Sequence, residues 1–165
     1  MKKYFVVSDH HFNHKNIMVY EDRPFDDVEH MNKELIKRHN SIVRKEDVVF
    51  FLGDVSFTNK EKTKEIIEKM NGYKILIMGN HDRRNRNWHL DVGFSEVIKY
   101  PIIFKGYYIL SHEPVYLNDK MPYVNIHGHM HGKSMSGGNY VNVSVEQIDY
   151  TPVNIEDIIE RFKVD

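Results

Sequence analysis

A chain of 165 residues with 41% hydrophobic content can bury the core of one domain and is short for two. Its 23 Lys and Arg against 24 Asp and Glu exclude a global field of the kind that draws nucleic acid or an acidic membrane, although a local basic patch is compatible with that sum. The absence of cysteine excludes disulfides and thiolate ligands, fits a reducing compartment, and directs any metal chemistry toward His, Asp and Asn.

Met1-Lys2-Lys3 leads into a short apolar strand, Tyr4 to Val7, which reaches Asp9 with no room for a signal h-region. No later apolar run approaches membrane-spanning length, so a soluble cytoplasmic protein with no membrane partner is expected. Phe12 to Asp27 is polar and turn-rich, with Arg23-Pro24-Phe25 as a break. Val28, Met31, Leu35, Ile36, Ile42 and Val43 then recur at helical spacing, which predicts an amphipathic helix. Asp47 to Leu52 reads as a buried strand. Lys60 to Met70, with Ile66, Ile67 and Met70 on one face, reads as a helix stopped by Asn71-Gly72.

Tyr73 to Met78 gives a third strand, and the loop after it is strongly basic: Arg83, Arg84, Arg86. From Ser95 the pattern changes to β-rich runs, Glu96 to Phe104, Tyr107 to Ser111, Tyr123 to His127 and Tyr140 to Val143. Lys105-Gly106 is a hairpin turn and Gly137-Gly138 a break, and a second sheet is the expected home of these runs. Ile155, Ile158, Ile159 and Phe162 form a closing helix that Asn154 or Thr151 could cap, with Pro152 near its start.

Five short blocks carry the chemistry: Asp9-His10-His11, Gly53-Asp54, Gly79-Asn80-His81-Asp82, Ser111-His112 and Gly128-His129-Met130-His131. Each of the first three follows a β-prone run, where open α/β sheets place their ligands. Asp9 and His11 are two residues apart, as are His129 and His131, so in extended backbone each pair would project to one side and converge on one ion. Asp54 has two carboxylate oxygens and could bridge two cations about 3.5 to 4 Å apart. Gly53 lets the chain turn beside it. Asn80 adds an amide oxygen and His112 an imidazole. The mixed nitrogen and oxygen set suits Mn, Fe or Zn, with Ni or Co as further options, and is less suited to a pure Mg or Ca site.

In this order the blocks resemble the calcineurin-like metallophosphoesterase superfamily over residues 9 to 131. Phe12-Asn13-His14-Lys15-Asn16-Ile17 and Arg23-Pro24-Phe25 resemble its small bacterial and phage-type phosphoesterases. The resemblance implies an α/β fold, a four-layer α/β/β/α sandwich of two mixed sheets flanked by helices. It implies that Asp9, His11, Asp54 and His131 hold one metal, and that Asp54, Asn80, His112 and His129 hold the other. It assigns His81 as a non-ligand histidine that protonates the leaving oxygen or stabilises phosphoryl charge, while the ions acidify a bridging water to give the attacking hydroxide. One departure stands out. Protein phosphatases of the superfamily carry an Asp a few residues after Gly-Asp to orient that histidine, and here the chain reads Gly53-Asp54-Val55-Ser56-Phe57. His81 must be held by another group, such as a backbone carbonyl or a distant carboxylate.

Taken singly, each block is an ordinary turn or strand cap, and the ordered set is what carries the reading. By strand alternation His10 points away from its neighbours and is expected to be packed or at the surface. His127 shares the parity of His129 and is open between a ligand-orienting and a structural role. His14 and Asn13 are open between the cleft and a loop cap, and His30, His39 and His89 read as surface or satisfied residues. Arg83 and Arg84 could clamp a phosphate or be solvated, and Arg23 has a similar claim. Hydrolysis of a phosphodiester, on a small phosphoester or nucleotide-type substrate at an open site, is the leading reading. A phosphomonoesterase, a nuclease acting on nucleic acid and a catalytically silent scaffold are the alternatives.

Overall fold

The computed structural model describes residues 1–162. Three of the apolar runs become adjacent parallel strands, β1 (Tyr4–Val7), β2 (Val48–Phe51) and β3 (Tyr73–Ile77), in register with Tyr4 opposite Val48 and Val48 opposite Tyr73. These strands are apolar at nearly every position because both faces of the sheet are covered. β4 (Glu96–Ile98) extends the sheet parallel to β3, and β9 (Val153–Asn154) closes the other edge antiparallel to β1. The order is β4-β3-β2-β1-β9.

The crossovers carry helices α1 (Lys15–Tyr20), α2 (Val28–Ile42), α3 (Lys60–Lys69) and α4 (Arg86–Asp91). Asp27, Asn59 and Asn85 cap the last three, each accepting from a backbone N–H of the first turn. Met31, Leu35, Ile66 and Ile67 pack on Phe5, Val7, Val49, Phe51 and Leu76, the outer face of the sheet. The alternate residues Val6, Phe50, Leu52, Ile75 and Ile77 face inward.

That inward face meets a second mixed sheet of β5 (Ile102–Phe104), β6 (Tyr108–Ser111), β7 (Val124–His127) and β8 (Tyr140–Asn142), in that order. Only β5 runs antiparallel, joined to β6 by the Lys105-Gly106 turn, in which both residues have left-handed φ, 48° and 80°. Tyr108, Leu110, Val124 and Ile126 fill the space between the sheets, closed by Ile155 and Ile158 of α5 (Ile155–Arg161), whose cap is Asn154. The expected pair of mixed sheets flanked by helices is what the chain forms. The outer face of the second sheet meets the loop after β6, where Asn125 Oδ1 accepts from Val115 N–H and the Tyr140 hydroxyl donates to the Val115 carbonyl.

Three local expectations need correction. The run from Glu96 to Phe104 divides between the two sheets, because Pro101 lacks the N–H a continuous ladder needs and lets the chain cross over. The turn-rich stretch after Phe12 contains α1, and Arg86 lies on α4 rather than in a loop.

Candidate metal centre

All five blocks lie where strands end, Asp9 and His11 after β1, Asp54 after β2, Asn80 to Asp82 after β3, His112 after β6, and His129 and His131 after β7. Adjacent loops are stitched together by backbone bonds, from Asp9 N–H to the Gly53 carbonyl (3.1 Å), His11 N–H to the Asp54 carbonyl (3.1 Å) and Gly128 N–H to the His112 carbonyl (2.9 Å). Two glycines permit this approach. A Cβ on Gly53 would lie 2.5 Å from Gly79 Cα, and one on Gly128 would collide with Ser8 Oγ and Asp9 Oδ2. Asp9, His11, Asp54, His129 and His131 all have positive φ, between 47° and 67°. The Asp9/His11 pair therefore converges through left-handed turns and not, as the spacing suggested, through extended backbone, whereas His129 and His131 do not converge as expected: His131 Nε2 faces Asp9 Oδ1 and His129 Nδ1 faces Asn80 Oδ1.

Asp54 lies at the centre. Its Oδ1 accepts from His81 N–H at 2.9 Å, and its Oδ2 lies 3.6 Å from His11 Nε2, 3.5 Å from His112 Nε2 and 4.0 Å from His81 Nε2. Asp9 directs Oδ2 into two hydrogen bonds, from His129 N–H (2.8 Å) and Ser144 Oγ (2.9 Å). Its Oδ1 is turned toward His11 Nε2 at 3.9 Å and His131 Nε2 at 3.7 Å. On the other side Asn80 Oδ1 meets His112 Nε2 at 2.8 Å and His129 Nδ1 at 3.1 Å.

The donor atoms fit cations. Asp9 Oδ1 and His11 Nε2 are buried with no hydrogen-bond partner among the described residues, a costly state for a carboxylate and an imidazole. The Leu52 carbonyl, 2.7 Å from His112 Nδ1, can only accept. A neutral His112 therefore carries its proton on Nδ1 and turns the Nε2 lone pair toward Asn80 Oδ1 and Asp54 Oδ2. A cation between them would satisfy these facing lone pairs. The clusters Asp9, His11, His131 and Asp9, Asp54, His112 could each hold a metal ion. The donor distances given above fall within the roughly 4.2 Å spanned by two metal–ligand bonds of about 2.1 Å, and the donor atoms of each cluster all lie within 4.8 Å of one another.

Electrostatics agree. Burial pushes the Asp54 carboxyl above the usual carboxylate range, helped by Asp82 and Asp9 and opposed by His112. Burial holds His11 far below an ordinary imidazole, with His131 adding to the effect. At His131 burial acts downward too, but the hydrogen bond to Glu146 and the charge of Asp9 outweigh it and raise the ring.

The structure brings Asp9, His11, Asp54, Asn80, His112, His129 and His131 into one cluster, with His81 at its edge, 43% exposed. No group hydrogen-bonds the His81 ring among the described residues; Phe57 packs against it, ring centroids 5.0 Å apart. Arg83 and Arg84 are exposed, and with His81, Phe57, Asn59 and Trp88 they line a cleft of about 460 Å³ beside the cluster. Arg23 is a correction. Its guanidinium is fully buried, donating to the Asp9 and His10 carbonyls and to Glu146, so it is out of reach of a substrate.

His10 is buried between Phe12 and Phe51, and His39 and His89 are buried rather than at the surface. His127 bonds the Gly128 carbonyl and, among the described residues, makes no hydrogen bond to a ligand imidazole. His14 stacks on Phe57 and meets His11 Nδ1 at 3.0 Å, whereas Asn13 pairs with Asn32. Two residues escaped the sequence reading. Asp82 was visible only as the last letter of its block, yet its buried carboxylate accepts from the N–H groups of Asp54 (2.7 Å), Val55 (3.3 Å) and Gly79 (2.8 Å), tying two site loops together. Glu146, 15 residues beyond His131, had no signal at all.

A strand-end cluster of carboxylates, imidazoles and an amide that could hold metal, set on a two-sheet α/β fold, has the make-up of a metal-dependent hydrolase site. The chain belongs to the calcineurin-like phosphoesterase family, whose model matches residues 2–163, and is thereby a hydrolase of phosphoesters that depends on metal. It is 39% identical to the uncharacterized protein MJ1445 of Methanocaldococcus jannaschii, over 99% of this chain and 95% of that one. Over 56% of its length it is 37% identical to the Gene 66 protein of Mycobacterium phage L5, covering 47% of that protein. A protein of unknown function from Aquifex aeolicus, AQ665, superposes with a TM-score of 0.74 at 25% identity, covering 98% of this chain and 100% of that one. The nuclease MPE of Pseudomonas putida shares the fold at a TM-score of 0.54 and 19% identity, over 78% of this chain and 61% of that one. No helix among the described residues is long and apolar enough to cross a membrane.

Proposed function

We propose that this chain is a dimetal phosphodiesterase in which His81 is the general acid. One observation carries the reading: a single carboxylate oxygen, Asp54 Oδ2, is approached by His11 Nε2 at 3.6 Å and by His112 Nε2 at 3.5 Å, so that two ligand sets share it. Asp9, His11 and His131 with Asp54 would hold one ion, and Asn80, His112 and His129 with Asp54 the other. Mn, Fe or Zn suit these donors, with Ni or Co as further options. When bound, such ions supply Lewis acidity toward phosphoryl oxygens and acidify water to near neutrality.

The chain's own groups do the rest. The bond from His81 N–H to Asp54 Oδ1 anchors the histidine's backbone beside the shared carboxylate, and its exposed ring can donate a proton to the leaving oxygen. Phe57 walls one side of that ring in place of the absent orienting carboxylate. Arg83 and Arg84 stand where the parts of a substrate flanking the phosphate would lie, and can pair with its charge. The proton donor favours a diester, whose alkoxide is a poor leaving group. A nuclease is the second reading, favoured by Arg83 and Arg84 beside half-buried Trp88 in that cleft. The cysteine-free composition supports action in the cytoplasm.

The test is hydrolysis of bis(p-nitrophenyl) phosphate beside p-nitrophenyl phosphate by metal-stripped protein refilled with Mn²⁺, with His81→Ala in parallel. Metal-restored diester cleavage, and a variant that binds metal yet loses about 10²- to 10⁴-fold in turnover, are expected. Preference for the monoester would make the protein a phosphatase, and silence on both esters would revive the scaffold. Loss of metal in His81→Ala would make His81 a ligand.

A further inference from the structure

Glu146 lies in a 3₁₀ turn (Val145–Gln147) after β8, its side chain only 8% exposed. Its Oε1 accepts from Arg23 Nε at 2.9 Å and Nη2 at 2.6 Å, and faces His131 Nδ1 at 3.1 Å. The same guanidinium donates through Nη1 to the His10 carbonyl (2.7 Å) and through Nη2 to the Asp9 carbonyl (2.8 Å). One buried ion pair therefore joins the loop after β1, the segment before α2 and an imidazole of the loop after β7. Such a pair gains little stability over well-packed apolar residues, because both charges are desolvated. It fixes geometry instead. With Oε1 as acceptor, His131 carries a proton on Nδ1 and presents the Nε2 lone pair to Asp9 Oδ1, 3.7 Å away.

We propose that Glu146 and Arg23 are positioning residues for the ion held by Asp9, His11 and His131, an inference that rests on the dimetal reading above. Glu146 sets the tautomer and angle of His131. Arg23 neutralises Glu146 and holds the Asp9 and His10 carbonyls, so that Asp9 Oδ1 stays aimed at the two imidazoles. The other ligand set meets this pair only indirectly, through the shared Asp54 and the bond from His129 N–H to Asp9 Oδ2: among the described residues the side chains of Asn80, His112 and His129 bond to neither Glu146 nor Arg23, and His112 takes its orientation from the Leu52 carbonyl.

The experiment is a calorimetric titration of metal-stripped protein with Mn²⁺, comparing wild type with Glu146→Ala, Glu146→Gln and Arg23→Lys. Electron paramagnetic resonance of the coupled Mn²⁺ pair and the metal-free unfolding midpoint are read on the same samples. Wild type should take up two ions. Glu146→Ala should weaken one of them by about 10- to 100-fold and leave the other unchanged, with a loss of spin coupling at limiting metal. Glu146→Gln keeps the shape and an acceptor, so it should fall between, and it carries the test if the alanine variant does not fold. Variants that hold both ions as wild type does, or weaken both equally, overturn the inference. Wild-type protein that binds fewer than two ions refutes the dimetal reading itself, a result distinct from either.

Discussion

Removing the Asp82 carboxylate should damage the site from beneath. Its two oxygens accept three backbone N–H groups from the loops that follow β2 and β3, two of them at 2.7 and 2.8 Å and one at 3.3 Å. Hydrogen bonds to a charged group contribute about 1.5 to 3 kcal/mol each, and a buried donor left without a partner costs about 1 to 3 kcal/mol. The two short bonds alone place the loss for Asp82→Ala at roughly 3 to 6 kcal/mol. Relief of repulsion with Asp54 trims it toward the lower end. Asp82→Asn keeps one acceptor oxygen and turns an amide N–H₂ toward the remaining donor, so it should cost about half as much. Urea unfolding of the metal-free proteins measures both. Mn²⁺ titration should show weaker binding in Asp82→Ala as well, because Asp54 and Asn80 are carried by the loops it ties. An alanine variant within about 0.5 kcal/mol of wild type would show that the three N–H groups find other partners and that the carboxylate is not what joins the loops.

Three further outcomes follow from the same structure. Asp54→Ala should weaken both ions together; a variant missing only one in a Mn²⁺ titration would contradict the bridging role. Burial holds the His39 imidazole at about 4, against about 6.5 in the unfolded chain. The neutral ring therefore contributes fully above pH 6.5, and that contribution, about 3 kcal/mol, is lost as pH falls from 6.5 toward 4. In His39→Gln, with a donor kept for the Asn71 carbonyl, unfolding free energy should decline less steeply over this window, and a slope equal to wild type would refute the assignment. Gly128→Ala drives a methyl into Ser8 Oγ and Asp9 Oδ2, both fixed by hydrogen bonds; a loss of about 1 to 3 kcal/mol in thermal unfolding is expected, and an unchanged midpoint would mean the loop gives way freely.

Much of this architecture could be read from the chain. β1, α2, β2, α3 and β3 lie within a residue or two of where apolar spacing and the Asn71-Gly72 stop put them, because each is a run whose period matches its burial. The short elements were not legible. α1 and α4 have six residues each, too few for a helical period to declare itself, and β9 has two. At the site, the five blocks predicted which residues would gather, since histidines and carboxylates at strand ends have few other reasons to recur. Their supports were harder to read. Arg23 and Glu146 are 123 residues apart and meet only through the fold, so an arginine within a polar stretch read as substrate-facing when it is a buried clamp. Asp9 and His11 converge as expected but by left-handed backbone, which a spacing rule cannot distinguish from an extended pair.

Those left-handed turns tie the site to the fate of the whole chain. A side chain at positive φ costs about 1 to 2 kcal/mol, less for Asp, and five of the gathered residues adopt it. Folding alone leaves that strain in place and adds to it the buried, unpartnered Asp9 Oδ1 and His11 Nε2. A ligand that binds only the folded state offsets such a deficit by about 2.7 kcal/mol at a hundred times its dissociation constant. The supply of metal in its surroundings would therefore govern how much folded protein persists as well as how much of it is active, and starvation for the ion would be felt as turnover of the polypeptide in addition to lost activity.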